Sequence, residues 1–281
     1  MKAVIADGVG DGKCALQVEI IFGMNFEFLE MQLLEDDIEI LGKEASSAFL
    51  VLALAADETM QLINLWIMAM NTQAMGEPTL KLASARSHLF LRLVNLKVVE
   101  AQYAMKGLEI ALKRRAKSRS DLAILEKISK TWADGMSDVL ESEWLGFSKK
   151  MRNKMSGHCG TQDVLAWLDS APRNSDRRFL FHKEYANCSY PATDDLVFGS
   201  FLNFHFNRMG GKSSNHEKFD EFLNWLNAAS HSVYRTFQLV AVDVFFRILK
   251  KEPDKTIQFE IGRELCGSSK TTKLPVFFLR D

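Results

Sequence analysis

Apolar residues recur along most of this chain at helical spacing, three or four positions apart. From about residue 25 to 74 helix formers dominate and no proline intervenes before "GEP" at 76–78, so the pattern predicts helix. A break is expected near "GKEASS" (42–47), with Ser46 or Ser47 capping the apolar helix that follows. Ser84 is expected to cap a long helix to about 117, striped by Leu89, Leu93, Leu96, Val99, Tyr103 and Leu108. Ser120 begins another, to about 156, striped by Leu122, Leu125, Ile128, Trp132, Met136, Val139 and Leu140. Thr161 caps a short helix over 161–170, and residues 171–192 read as a loop. Thr193 or Asp194 starts a helix to about Arg208; "MGGKSSN" (209–215) is a turn, and a last helix spans about 216–250.

Only the ends switch to a period of two. "TIQFEI" (256–261) and "KLPVFFLR" (273–280) suit a C-terminal β-hairpin, and "LQVEI" (16–20) is a further strand candidate. The expectation is a mainly α protein, a multi-helix bundle over 25–250. An N-terminal segment (1–24) precedes it, and a small C-terminal β-hairpin (251–281) packs on it.

The most apolar stretch, residues 48–70, is long enough to cross a bilayer but carries Asp57 and Glu58 near its middle. Those charges would cost roughly 2.5–3.5 kcal/mol each on insertion. A core helix, and no membrane partner, is therefore expected. Residues 1–13 do not read as a signal peptide. Four scattered cysteines, with no CxxC pair, suit neither a disulfide framework nor structural zinc and fit a reducing cytoplasm.

Net charge is −1, so any site for a polyanion must be local. Residues 1–46 hold three basic and ten acidic groups, whereas residues 149–183 hold eight basic and three acidic. A phosphate-bearing partner is best sought in the second segment. There, in residues 171–192, Arg177 and Arg178 sit among aromatic residues. That combination suits single-stranded RNA, and equally a loop pinned to the core by its rings.

The same basic segment contains "MRNKMSGHCG" (151–160). An arginine and a histidine brought together can cleave RNA without a metal. Imidazole can take the 2′-hydroxyl proton or give one to the leaving oxygen, while guanidinium holds the phosphate. Asn153 can orient either group. On a regular helix, six positions leave Arg152 and His158 about 120° apart with a rise of about 9 Å. A helix ending at Gly157, or a second subunit, would have to bring the pair together. The plain alternative is a basic C-terminal turn, Lys149 to His158, complementing the helix dipole.

"RNKMSGH" resembles the Rx4–6H signature of the HEPN superfamily, whose arginine is often followed by Asn. The resemblance implies a helical, commonly dimeric domain acting as a metal-independent endoribonuclease in toxin–antitoxin, phage-defence or RNA-processing systems, or as a binding module. It implies Arg152 on the phosphate, His158 as general acid/base and Asn153 orienting. Lys150, Arg177 and Arg178 are expected to add charge along the RNA path.

The partners expected are RNA, a second copy of the chain and, in the non-enzymatic alternative of a helical scaffold, another protein. No cofactor or metal is expected: His182, Cys188 and His205 lack the tight spacing of a ligand set. Gly8 to Lys13 reads GxxxGK, one residue short of a phosphate-binding loop, with Cys14 where Ser or Thr would hold magnesium.

Overall fold

The computed structural model describes residues 25–71, 77–157, 159–175, 177–179, 191–260 and 272. They form a mainly helical bundle: β1 (Asn25–Glu30), α1 (Glu35–Leu41), α2 (Lys43–Met70), α3 (Glu77–Arg115), α4 (Arg119–Gly135), α5 (Ser137–Leu140), α6 (Glu143–Met151), α7 (Thr161–Leu168), α8 (Pro191–Thr193), α9 (Ser200–Phe206), α10 (Asn215–Asp243) and β2 (Lys255–Glu260). Three π-helical turns, Arg152–Gly157, Asp194–Gly199 and Val244–Ile248, extend α6, join α8 to α9 and extend α10.

The long helices form because each has an apolar stripe to bury, and the break between α1 and α2 has a backbone cause. Gly42 adopts φ +78°, a conformation an L residue with a side chain rarely takes. Arg115 closes the junction, its Nη2 donating to the carbonyls of Glu39 and Ile40 at 3.0 Å each. Ser46, expected as a cap, instead lies inside α2 and is buried.

Helices α2 and α3 run antiparallel along their length. Ala48 lies beside Gly107 at one end, and Trp66 Nε1 donates to Ser87 Oγ (3.0 Å) toward the other. Leu52, Ala56 and Ile63 of α2 and Leu91, Val94, Val98 and Leu108 of α3 are buried in the common core. Helix α10 packs across α2 and α4, with the Phe49 and Phe237 rings 5.9 Å apart and Gly135 of α4 against Thr236. At the other end Trp144, Phe147, Phe201, Phe206 and Phe222 form an aromatic cluster. The Phe147 and Phe222 rings meet edge-on at 4.9 Å, which orients the end of α6.

Several boundaries differ from the pattern. Residues 25–30 form a strand, not helix. Phe26 and Phe28 alternate with Asn25 and Glu27, so so short a run also satisfies a period of two. β2 appears at 255–260 and pairs antiparallel with β1, Phe28 opposite Ile257; the expected hairpin partner at 273–280 lies outside the described residues, as do 1–24. Glu77 and Pro78 of "GEP" open α3, because proline is tolerated in a first turn where no N–H is needed, and Ser84 lies inside α3. The start of α4 is capped by Ser118, two residues before Ser120: Ser118 Oγ accepts the Asp121 N–H, and Asp121 accepts the Ser118 N–H. The single helix expected from 120 to 156 breaks at Met136, and Ser142 caps α6. Gly160 rather than Thr161 precedes α7, and Thr193 lies within the continuous helical run that begins at Pro191.

The segment after α10 returns to α1 at Asp37. This buried carboxylate accepts the Leu34 N–H at 2.6 Å and pairs with Lys251 Nζ at 2.5 Å. Burial alone would raise its pKa; the Lys251 and Leu34 hydrogen bonds outweigh that and hold it below the ordinary value. The pair therefore stabilises the fold above the ordinary Asp pKa, and the contribution fades as pH falls through the lowered one. Asp37→Asn is expected to lower stability at neutral pH and to flatten the stability–pH curve in acid; urea titrations between pH 3 and 7 check this, and identical curves would contradict it.

Gly135 lets α4 approach α10, since a Cβ there would stand 2.3 Å from Thr236 Oγ1. Gly135→Ala is expected to cost about 1–3 kcal/mol by overpacking. Adding Thr236→Ala should recover part of that loss, as measured by urea unfolding.

Candidate functional site

Helix α6 ends in a widened turn. Its last residue, Met151, is buried, and the next, Arg152, starts the π turn. Two contacts orient Arg152. Its Nη1 donates to Asn153 Oδ1 at 2.9 Å, and its guanidinium lies over the half-exposed Tyr103 ring of α3, 5.6 Å from the centroid. Among the described residues no carboxylate pairs with it. The turn itself is fixed at both ends. Lys154 reaches Asp163 of α7 at 2.9 Å, and Ser156 Oγ donates to the Arg92 carbonyl of α3 at 2.9 Å. One helical turn before Arg152, the buried Ser148 Oγ donates to Asn95 Oδ1 (2.5 Å), while Asn95 Nδ2 donates to the Ser148 carbonyl (3.1 Å).

Arg152 and Asn153 are therefore brought together, and His158 lies outside the described residues. Lys150 is directed elsewhere: two positions earlier on a helix faces a different side. It lines a cavity of about 350 Å³ together with Glu143, Gly146, Phe147, His205, Arg208 and Met209. Arg177 and Arg178 are exposed on the irregular segment 177–179, where the Arg178 carbonyl accepts the Ala192 N–H at the start of α8.

The Lys150 cavity adds a histidine that the sequence offers only as a weak metal ligand. His205 is packed among the rings of Phe147, Phe201 and Phe204, with centroids 6.2, 4.6 and 5.1 Å away. Burial, then the nearby charges of Lys150 and Arg208, push its pKa down to about 4. Arg208 stacks on Phe204, 3.4 Å from the centroid, and donates to the Phe204 carbonyl. The i, i+3 spacing of His205 and Arg208 in "HFNR" is the signal that could have placed both on one face. The cavity presents two cations, a neutral imidazole and the Glu143 carboxylate, a set suited to a phosphate group flanked by hydrogen-bonding partners.

A histidine–carboxylate contact also lies on α3. His88 Nδ1 lies 2.6 Å from Asp194 Oδ2, beside Phe198. Asp194 thus holds an imidazole rather than only starting a helix.

The chain matches no protein-family model, no curated protein and no solved structure.

His205 is expected to stay neutral at pH 7. Because its folded pKa lies below the ordinary value near 6.5, the unfolded chain binds more protons between pH 6.5 and 4, and stability falls as pH drops through that window. An NMR titration should place its midpoint near 4, and Arg208→Ala should raise it; a midpoint near 6.5 in the unaltered protein would contradict the packing described.

Proposed function

We propose that this chain is a HEPN-like RNA-binding protein that cleaves RNA without a metal ion at the turn following α6. One observation carries the reading. Arg152 is a cation held in place by a neutral amide and an aromatic face, with no carboxylate neutralising it among the described residues. Such a guanidinium keeps donors for phosphate oxygens, and the half-exposed Tyr103 beside it is a surface on which a base can stack. In this reading Arg152 grips the scissile phosphate and stabilises its developing charge. His158, six residues on, takes the 2′-hydroxyl proton or returns one to the leaving 5′-oxygen. Asn153 keeps the guanidinium turned toward the phosphate. Lys149 and Lys150 add to the positive field along α6.

A non-enzymatic scaffold has its own support. Leu50, Val51 and Leu54 are each about half exposed on α2, the most apolar helix, at a spacing that places them along one side. By length and composition α2 could also span a bilayer, although Leu52, Ala56, Ile63 and Trp66 pack into the bundle.

Cleavage of a structured RNA in the presence of chelator tests the proposal. His158→Ala is expected to lose about 10²–10⁴-fold in rate while retaining binding. Arg152→Ala should lose both rate and affinity, with a shallower salt dependence by about one phosphate contact. Equal cleavage by the unaltered protein and His158→Ala would end the catalytic proposal, and absence of RNA binding by the unaltered chain would favour the scaffold.

A further inference from the structure

Beneath the π turn after α6 is a second, smaller cavity of about 220 Å³. It is lined by Ala85 and Arg92 of α3, by Met155 and Cys159, and by Thr193, Asp194 and Val197. Two of the three π turns supply its walls, and π distortions collect at functional sites. Its central feature is an arginine without an acceptor. Arg92 is partly buried and its guanidinium stacks on Phe198 at 5.3 Å. Its backbone carbonyl is used by Ser156, yet among the described residues its five side-chain N–H donors have no hydrogen-bond acceptor and no ion-pair partner at contact distance. The carboxylate in the same cavity, Asp194, is taken by His88 at 2.6 Å. The Arg92 donors are not sealed inside the protein, since none is a buried atom lacking a partner, so they can meet the acceptors of a ligand that enters the cavity.

We propose that this cavity binds the oxyanion of a small-molecule ligand, a carboxylate or phosphoryl group that the Arg92 fork grips two oxygens at a time. A planar guanidinium fixed by stacking matches either group. The cavity is below the usual 300–1,000 Å³ of drug-sized sites, so the ligand is a small acid or phosphate ester. Burial lowers the Arg92 pKa, with Asp194 and Cys159 opposing. This site is separate from the RNA reading and stands whether or not Arg152 touches RNA.

Cys159 reports on it directly. Its thiol lines the cavity, and burial, aided by Asp163 and opposed by Arg92, holds it above the ordinary thiol pKa. Alkylation of Cys159 by iodoacetamide, followed by peptide mass spectrometry at fixed pH and ionic strength, is measured against inorganic phosphate or acetate. One anion or both should slow alkylation saturably. Protection by phosphate alone identifies a phosphoryl ligand, and by acetate alone a carboxylate. In Arg92→Met the ratio of rates with and without anion should fall to one. In Arg92→Lys, which keeps the charge and loses the fork, half-protection should need at least about tenfold more anion, equivalent to 1.4 kcal/mol. The protective anion should also raise the melting temperature of the unaltered protein and not that of Arg92→Met, whose folding is checked by circular dichroism. No protection by either anion, or equal protection in Arg92→Met, overturns the proposal.

Discussion

A buried exchange of hydrogen bonds between Asn95 and Ser148 fixes how α6 and the turn after it sit on α3. Both side chains are fully enclosed, and each is satisfied by the other's residue. Buried polar groups tolerate few alternatives, because an unpaired one costs about 1–3 kcal/mol. The pair therefore fixes the register of α6 against α3. Everything downstream inherits that register: Arg152 on Tyr103, Ser156 on the Arg92 carbonyl, and the widened turn between them. Helix α3 is in this sense the spine, since His88, Arg92, Asn95 and Tyr103 each hold a different part of the candidate site.

The aromatic cluster does the complementary work on the other side of α6. Trp144 and Phe147 are wedged against Phe206 and Phe222, so α6 cannot rotate without opening the best-packed part of the core. Rotation is the motion that would exchange Lys150 and Arg152 between their two surroundings. The fold thus separates the basic residues of one short segment: Lys150 toward His205 and Arg208, Arg152 toward Tyr103, and Lys154 onto Asp163.

Helical content was legible in the hydrophobic pattern because long stripes such as Leu91, Val94, Val98 and Leu108 are strongly periodic. Boundaries were less so, for local reasons. Pro78 reads as a stop until its position in a first turn is known, and Ser118 and Ser120 are both good caps, separated only by which one Asp121 can answer. Residues 25–30 are too short for period alone to assign, and their partner strand is more than 200 residues away. Of the candidate site, the nearness of Arg152 and Asn153 follows from adjacency. The split between Lys150 and Arg152 follows from helix geometry. The Arg92 cavity was not legible, since α3, the turn after α6 and the run before α9 meet only through tertiary packing. The three π turns leave no evident sequence signal.

Photo-crosslinking of a single-stranded RNA to the full chain, with the attached peptides mapped by mass spectrometry, tests most directly whether this face meets RNA. Crosslinks are expected to concentrate on Tyr103 and on the segment from Lys149 to Lys154, and competitor RNA to remove them. Crosslinks confined to other surfaces, or none above those of a non-binding control protein, would contradict it.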